Sequence, residues 1–336
     1  MEQTDVIYED DKEVLRKRFW KQMAVTGKGW LFILPVVILM AVFTFYPLIR
    51  SFITAFQENY APLAKTFTGW GFGNFTRVFI YGKFSYCLIN TLLFAFISVP
   101  ISTLLALFIS VGLNAIKPLR EVYQTLFFLP YLTNSIAIGA VFAAMFSVIG
   151  LSGDGSAQSW GLINTIFNSH IDWMTTKTVN TSGLNDWAYA IIDPKIWPAR
   201  IVVLVYEIWA GLPFKILILF GALQNVNKQY YQAAQVDGAS KHTTLWKITV
   251  PLISPMLSYL IITGFIGGFK SYTALIGIFG SLKVKNSNIN TVVGFIYDNI
   301  GANSTGLAAA AAIILLIIIM IFTGINFLVS KKRVHY

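Results

Sequence analysis

The chain has 336 residues, 56% hydrophobic and only 12% charged, where a soluble domain carries about a quarter charged residues. A mean hydropathy of +0.65 and 15% aromatic residues exclude an ordinary soluble fold and point to an integral membrane protein. The net charge of +10 comes without a basic stripe interleaved with aromatics, so it reads as cytoplasmic loops and not as a nucleic-acid surface.

Cys87 is the sole cysteine, which excludes an intrachain disulfide and a cysteine-based zinc site. His170, His242 and His335 are isolated, and no metal-ligand spacing emerges. A phosphate-binding loop needs Gly five residues before a Gly-Lys pair. At Gly27-Lys28 and Gly82-Lys83 those positions hold Gln22 and Arg77. Any nucleotide energy must therefore come from another chain.

Residues 1–29 begin acidic and turn basic ("KEVLRKRFWKQ"). No small-residue cleavage site follows the first apolar run, so that run is expected to stay as a spanning helix. A membrane-spanning helix needs about 20 mostly apolar residues. Six stretches qualify: 30–49, 88–113, 122–149, 201–223, 252–279 and 307–329. Pro35, Pro100, Pro130 and Pro213 lie in or beside them, where neighbouring helices can satisfy freed backbone groups. The expected fold is an all-α membrane protein: a cytoplasmic segment 1–29, a transmembrane domain 30–329 and a cytoplasmic tail 330–336.

With both termini placed in the cytoplasm, 14 of the 25 lysines and arginines fall inside, nine outside and two, Lys215 and Lys270, within spans. The positive-inside rule supports this orientation. The outside loop 150–200 is long and carries Trp160, Trp173, Trp187 and Trp197. Its length suggests function, and its aromatics suit either a small ordered cap or a belt at the headgroups. No internal repeat of the kind found in many secondary transporters is visible.

Between the fourth and fifth spans, in the loop 224–255, stands "QAAQVDGASKHTTLWKITVPLISP", residues Gln232 to Pro255. Residues 232–236 read as a helical fragment on which Ala233 and Ala234 offer a small smooth face. Gly238 can take the left-handed backbone that ends a helix sharply. Ser240 can cap a second short helix over 241–247, with Asp237 near its positive end. Pro251 and Pro255 then set the angle of the fifth span. The expected product is a helix-turn-helix on the membrane surface, shaped to dock in a groove of a cytoplasmic partner.

This stretch resembles the "EAA" loop of inner-membrane subunits of binding-protein-dependent ABC importers, E-A-A-x-x-D-G-A-(x)n-I-x-L-P. Ala233, Ala234, Asp237, Gly238, Ala239, Ile248 and Pro251 match it. "WAGLPFKILILFGALQNV" is similar to the family's fourth-span pattern, "FGNFTRVF" to its first external loop, and "SKKRVHY" to the tail of its sugar-importer branch. The chain departs from the pattern at Gln232 (family Glu), Leu245 (Phe), Val250 (Leu) and Asn227 (Pro). An exposed ion pair is worth about 0–1 kcal/mol, so docking is expected to rest on shape and apolar contact.

The resemblance implies a division of labour. Two permeases, here this chain and a second, different one, form the pathway. Two ATPase subunits bind ATP and Mg below, and an external binding protein delivers the substrate. The chain itself needs no cofactor and no catalytic residue. ATPase coupling falls to Gln232, Ala233, Ala234, Asp237, Gly238 and Ala239. In maltose-type members the spans flanking this loop contact substrate, at positions that fall here on Glu207, Ala210, Gly211, Phe214, Gly264, Gly267, Gly268 and Ser271. Phe214 supplies an aromatic face for a sugar, Ser271 a hydroxyl, and the glycines room. Equally, the glycines can be helix-packing contacts.

Ionisable groups at membrane depth face a cavity or a partner, which marks Glu207, Lys215 and Lys270. Lys215 can also pair with Glu207, about two turns away, or snorkel. The function expected is import of a sugar or oligosaccharide across a bacterial inner membrane. An acidic saccharide or phosphorylated polyol is the alternative that Lys215 and Lys270 keep open. A proton-coupled secondary transporter using Glu207 is a rival of another class. A membrane-embedded enzyme lacks any convergent acid, base or metal constellation.

Overall fold

The computed structural model describes residues 14, 16–18, 20–21, 29–80, 83–116, 120–151, 157–176, 187–285, 287–300 and 304–333. Most of segment 1–29, including the Gly27-Lys28 pair, lies outside the described residues. So do Gly82, residues 152–156 and 177–186 of the long loop, and tail residues 334–336. The chain divides into two compact units, Met1–Thr54 and Ala55–Tyr336.

The structure is predominantly helical. Among the described residues, four helices are long and apolar enough to cross a membrane: α1 (Gly29–Phe56), α3 (Phe84–Ala115), α8 (Trp197–Asn225) and α15 (Thr305–Arg333). Helix α2 (Gly73–Ile80) precedes α3. Pro100 and Pro213 sit inside α3 and α8 without ending either helix. Two further stretches qualify only as bent pairs, which brings the count to six if each pair is one crossing.

The stretch 122–149 is a bent pair of helices and not one continuous helix. Glu121–Leu132 and Ser135–Phe146 meet at 96°. Here α4 (Arg120–Phe128) tightens into a 3-10 turn at Leu129–Leu132 around Pro130. Asn134 then restarts the chain as α5 (Ser135–Phe146), its side-chain oxygen accepting from the Ile136 N–H at 2.8 Å. Proline removes a helical donor and an N-cap supplies a new start, so the axis is free to turn.

The stretch 252–279 is likewise not one continuous helix. Helix α10 runs from Lys241 to Leu252 and α11 from Ser254 to Gly268, with 71° between them. A break at Phe269–Tyr272 then precedes α12 (Thr273–Phe279). The Gly267-Gly268 pair ends α11, as glycine is costly in a helix. Helix α12 packs on α5 so closely that a Cβ added to Gly139 would lie 2.7 Å from the Gly277 Cα.

The remaining elements are short. Helices α6 (Leu162–Phe167), α7 (Trp187–Ile192) and α9 (Lys228–Val236) precede α10; α13 (Ser281–Lys285) and α14 (Val292–Asn299) follow α12. Two antiparallel pairs complete the set, β1 (Gln57–Glu58) with β2 (Gly69–Trp70) and β3 (Val148–Leu151) with β4 (Ala157–Trp160).

Within Ala55–Tyr336, α3 and α8 form the central pair. Phe94, Phe142, Tyr206 and Leu275 build one core cluster, and Phe84, Phe269 and Phe295 build a second with alanines 310 and 311 of α15. The third, with Leu107, Leu219, Ile253 and Leu260, lies beneath the α8–α11 connection. Small alanines let α15 approach closely, as is usual where membrane helices pack.

The described part of the long loop is held together by internal contacts around Asn164. Buried Asn164 of α6 accepts from the Trp173 indole N–H at 2.8 Å and the Ser169 hydroxyl at 2.9 Å, and donates to the Ile171 carbonyl. Trp173 also meets Phe146 edge-on at 5.6 Å. Trp173 is thus a packing element of the loop.

Candidate functional site

The α8–α11 connection folds as its residues dictate. Asn227 caps α9 by accepting from the Gln229 N–H at 3.0 Å. It thus does, by hydrogen bonding, what a proline would do there by fixing φ. At the far end the Ala239 N–H donates to the Ala234 carbonyl at 2.9 Å and the Gly238 N–H to the Gln235 carbonyl at 3.1 Å. This is the Schellman pattern, and it requires a left-handed residue; Gly238 has φ +69°.

Ser240 then caps α10, accepting from the Thr243 N–H at 3.1 Å. Residues Leu245–Thr249 widen into a π-turn in which the Val250 N–H reaches the Leu245 carbonyl. The wide turn comes just before Pro251, whose ring would press on the Lys247 carbonyl in ordinary α register. Pro255 opens α11. The left-handed Gly238, the Ser240 cap and the proline-set entry of α11 all agree with the sequence reading.

The two alanines do not share a face. Ala234 is 5% exposed, whereas Ala233 is open to solvent. Successive helical residues point about 100° apart, so one turns inward when the other turns out. The outward strip is Tyr230, Ala233 and Val236, spaced three apart, and Val236 is 88% exposed. Gln232, Asp237 and Gly238 are also exposed. Ala239 turns toward a cleft of about 310 Å³ that it lines with Val111, Asn114, Tyr231 and Lys241.

The second candidate region lies at the middle of α8. The Ser271 hydroxyl donates to the Glu207 carboxylate, which brings together two of the sequence-selected residues 64 positions apart. Next to Glu207, the Tyr206 hydroxyl donates to the Ser135 carbonyl at 3.1 Å and shares a hydrogen bond with the Ser135 hydroxyl at 2.9 Å. These contacts join α5, α8 and the α11–α12 break. Phe214 is half-buried and stacks on Tyr131 at 5.8 Å, so one ring face is already used.

Lys215 is not the partner of Glu207. Its ammonium donates to the Ser102 hydroxyl at 2.5 Å and the Val99 carbonyl at 3.2 Å, both on α3. Gly211 and Gly264 leave space for it: a Cβ on either would lie within 4 Å of its Nζ. Gly264 and Gly268 are packing contacts, because Cβ atoms there would come 2.9 Å from Val99 Cγ1 and 3.2 Å from the Ala95 Cα. Gly267 faces open space, and Lys270 is exposed at the end of α11.

A buried polar hub escaped the sequence reading. Arg200, fully buried at the start of α8, donates from Nε to the Asn90 side-chain oxygen at 2.9 Å. Its other nitrogens donate to the Ala190 and Ile191 carbonyls that end α7, at 2.5 and 3.2 Å. The Asn90 amide donates in turn to the Asn288 and Asn290 carbonyls at 2.8 and 2.9 Å. The Thr291 hydroxyl then donates to the Ser271 carbonyl at 2.8 Å. Segment 287–291 is thereby fastened to α3, α8 and the end of α11. Beyond it, burial pushes the Asp298 carboxyl above its ordinary range, against the opposing pull of Lys285 and the Asn290 amide. An asparagine within an apolar run was the one signal available in advance, since polar groups at membrane depth seek partners.

The architecture is that of a polytopic helical membrane protein with a polar helix pair joined through two prolines to the apolar helix α11. The chain belongs to the family of binding-protein-dependent transport system inner membrane components, whose model matches residues 69–335. It is thus a permease subunit of an ABC importer, a transport component of the inner membrane. It is 28% identical to the lactose transport system permease protein LacF of Rhizobium radiobacter, over 73% of each chain. The arabinooligosaccharides transport system permease protein AraP of Halalkalibacterium halodurans is also 28% identical, over 83% of this chain and 80% of that one. The fold is shared with a crystal structure of a bacterial ABC transporter involved in the import of the acidic polysaccharide alginate, at TM-score 0.71 and 19% identity. That likeness covers 94% of this chain and 99% of the other.

Proposed function

We propose that this chain is one of two different permeases in an ATP-driven importer of a sugar or oligosaccharide, crossing the membrane six times with both termini in the cytoplasm. The α4–α5 pair then counts as one crossing and the stretch 252–279 as another, and the α9–α10 pair faces the cytoplasm. A partner ATPase dimer binds ATP and Mg, and its closure moves α9–α10. The prolines and the packing of Ile253 carry that motion into α11. An external binding protein delivers the substrate to the region around Glu207, Phe214 and Ser271.

The observation that carries this reading is the α9–α10 unit itself. Its ends are closed by a Schellman turn and two side-chain caps, and Tyr230, Ala233 and Val236 stand outward with Val236 almost wholly exposed. Leaving a valine in water forgoes about 1.5–3 kcal/mol of burial, which docking into an ATPase groove recovers. The relatives that transport lactose and arabinooligosaccharides support the substrate class.

The test is uptake in vesicles carrying the full complex with its binding protein. Uptake should stop when ATP is removed while a proton gradient is kept, and Glu207→Gln, which still accepts from Ser271, should transport. Uptake driven by the gradient alone and lost in Glu207→Gln would establish the secondary-transporter reading instead. An acidic substrate is favoured by one observation, the exposed Lys270 beside Ser271, since Lys215 is already engaged by Ser102. Lys270→Met should leave uptake of a neutral sugar intact and abolish that of an acidic one.

A further inference from the structure

A cavity of about 310 Å³ opens between α3, α10 and α11, lined wholly by apolar surface. Its floor is buried: Val99 and Thr103 of α3 and Phe265 of α11 are each less than a tenth exposed. Its rim is open, at Leu104 and at Trp246 of α10. Leu257 and Phe265, both in its wall, are eight residues apart on α11, so the slot runs about 12 Å along the helix. Thr103 has its hydroxyl turned to the Val99 carbonyl at 2.7 Å, which leaves the slot its methyl group.

We propose that this slot holds one acyl chain of an anionic phospholipid from the cytoplasmic leaflet. The proposal rests on the orientation given above, which puts α10 at the cytoplasmic surface and α11 in the bilayer. Water gains nothing in a dry apolar slot, which offers no polar partners. A hydrocarbon chain fits it. Its mouth carries an indole, Trp246, and the next residue of the chain, Lys247, is an exposed cation on the adjoining face of α10, within side-chain reach of the same headgroup level. The His242 ring, 6.4 Å from Trp246, and Phe108, 6.5 Å away, flank the indole. The walls belong to α3 on one side and to the α10–α11 bend on the other. The lipid thus completes the packing at the joint that transmits motion from the surface helices to the span.

The test uses the complete complex in phosphatidylcholine vesicles doped with a few per cent of phosphatidylglycerol brominated on its acyl chains. The fluorescence assigned to Trp246, taken as the difference from Trp246→Phe, should be quenched roughly fivefold more than by the same fraction of brominated phosphatidylcholine. Lys247→Gln should abolish this preference, and Leu257→Phe, which fills the slot, should reduce the quenching by both lipids. Equal quenching by the two lipids would overturn the proposal. So would disulfide crosslinking of Leu104→Cys to the second permease, which would put a protein helix in the slot. The readout needs no ATP, so it stands or falls separately from the transport activity.

Discussion

The α9–α10 unit and the Arg200 hub are both built from polar groups, yet they obey different rules. In the unit, the two caps and the turn span at most five residues: Asn227 to Gln229, Ala234 to Ala239, Ser240 to Thr243. In the hub, Asn90 reaches residues 110, 198 and 200 positions away. The first is a local device carried on the surface, and the second exists only once the helices have assembled. Capping and turn chemistry therefore specify the α9–α10 unit, whereas tertiary packing specifies the closure of segment 287–291.

The largest effect should come from breaking the hub. Arg200→Met strands buried acceptors at Asn90 and Ala190, and each unsatisfied buried polar group costs about 1–3 kcal/mol. The variant complex should lose several kcal/mol of stability, seen as a much lower melting temperature in detergent and rapid proteolysis at 287–300. An unchanged melting temperature would mean that the hub contributes nothing to the fold. A smaller effect is expected in the local unit. Ser240→Ala removes one cap, worth about 1 kcal/mol, and should leave assembly intact while reducing substrate-stimulated ATP hydrolysis by a few-fold. Equal damage to assembly from both variants would erase the distinction drawn between the two regions.

The smallest effect concerns Asp298. Its folded-state affinity for a proton is raised by burial, so between the ordinary carboxyl range and its raised value the folded protein binds more protons than the unfolded one. Stability from this group is greatest below that window and declines as pH rises through it. Asp298→Asn should flatten that part of the pH–stability curve. A curve identical to that of the unaltered protein would remove Asp298 as its source.

How much was legible in the sequence follows the same division. The positions of α1, α3, α8 and α15 were plain from long apolar runs, and Gly238, Ser240 and Pro255 announced their backbone roles by residue type. The breaks at 133–134 and 269–272 were passed over, because Thr133-Asn134 and Lys270-Ser271 are short polar interruptions that long apolar runs on either side outweigh. Lys215 and Glu207 looked like partners because they share a helix. The structure gives each a partner on another element, Ser102 on α3 and Ser271 after α11, and sequence spacing carries no record of that. Ala233 and Ala234 were joined by a motif, although helix geometry alone would have separated them. Arg200 was counted as a loop cation, since nothing near it in the chain reveals that α3 and α7 close over it.

The central claim is that a left-handed turn at residue 238 holds the two surface helices in the shape that transmits ATPase motion to α11. The most direct test is substrate-stimulated ATP hydrolysis by the reconstituted complex carrying Gly238→Val, with Gly238→Asn beside it. A Cβ at Gly238 meets no atom of this chain within 4 Å, so both variants fit sterically there and differ in backbone strain. That strain is about 1–2 kcal/mol for an ordinary residue and less for asparagine, which tolerates the left-handed region. The account predicts an assembled Gly238→Val complex whose stimulated hydrolysis and uptake fall sharply, and a Gly238→Asn complex that keeps most of both. Normal stimulation and uptake in Gly238→Val would contradict it.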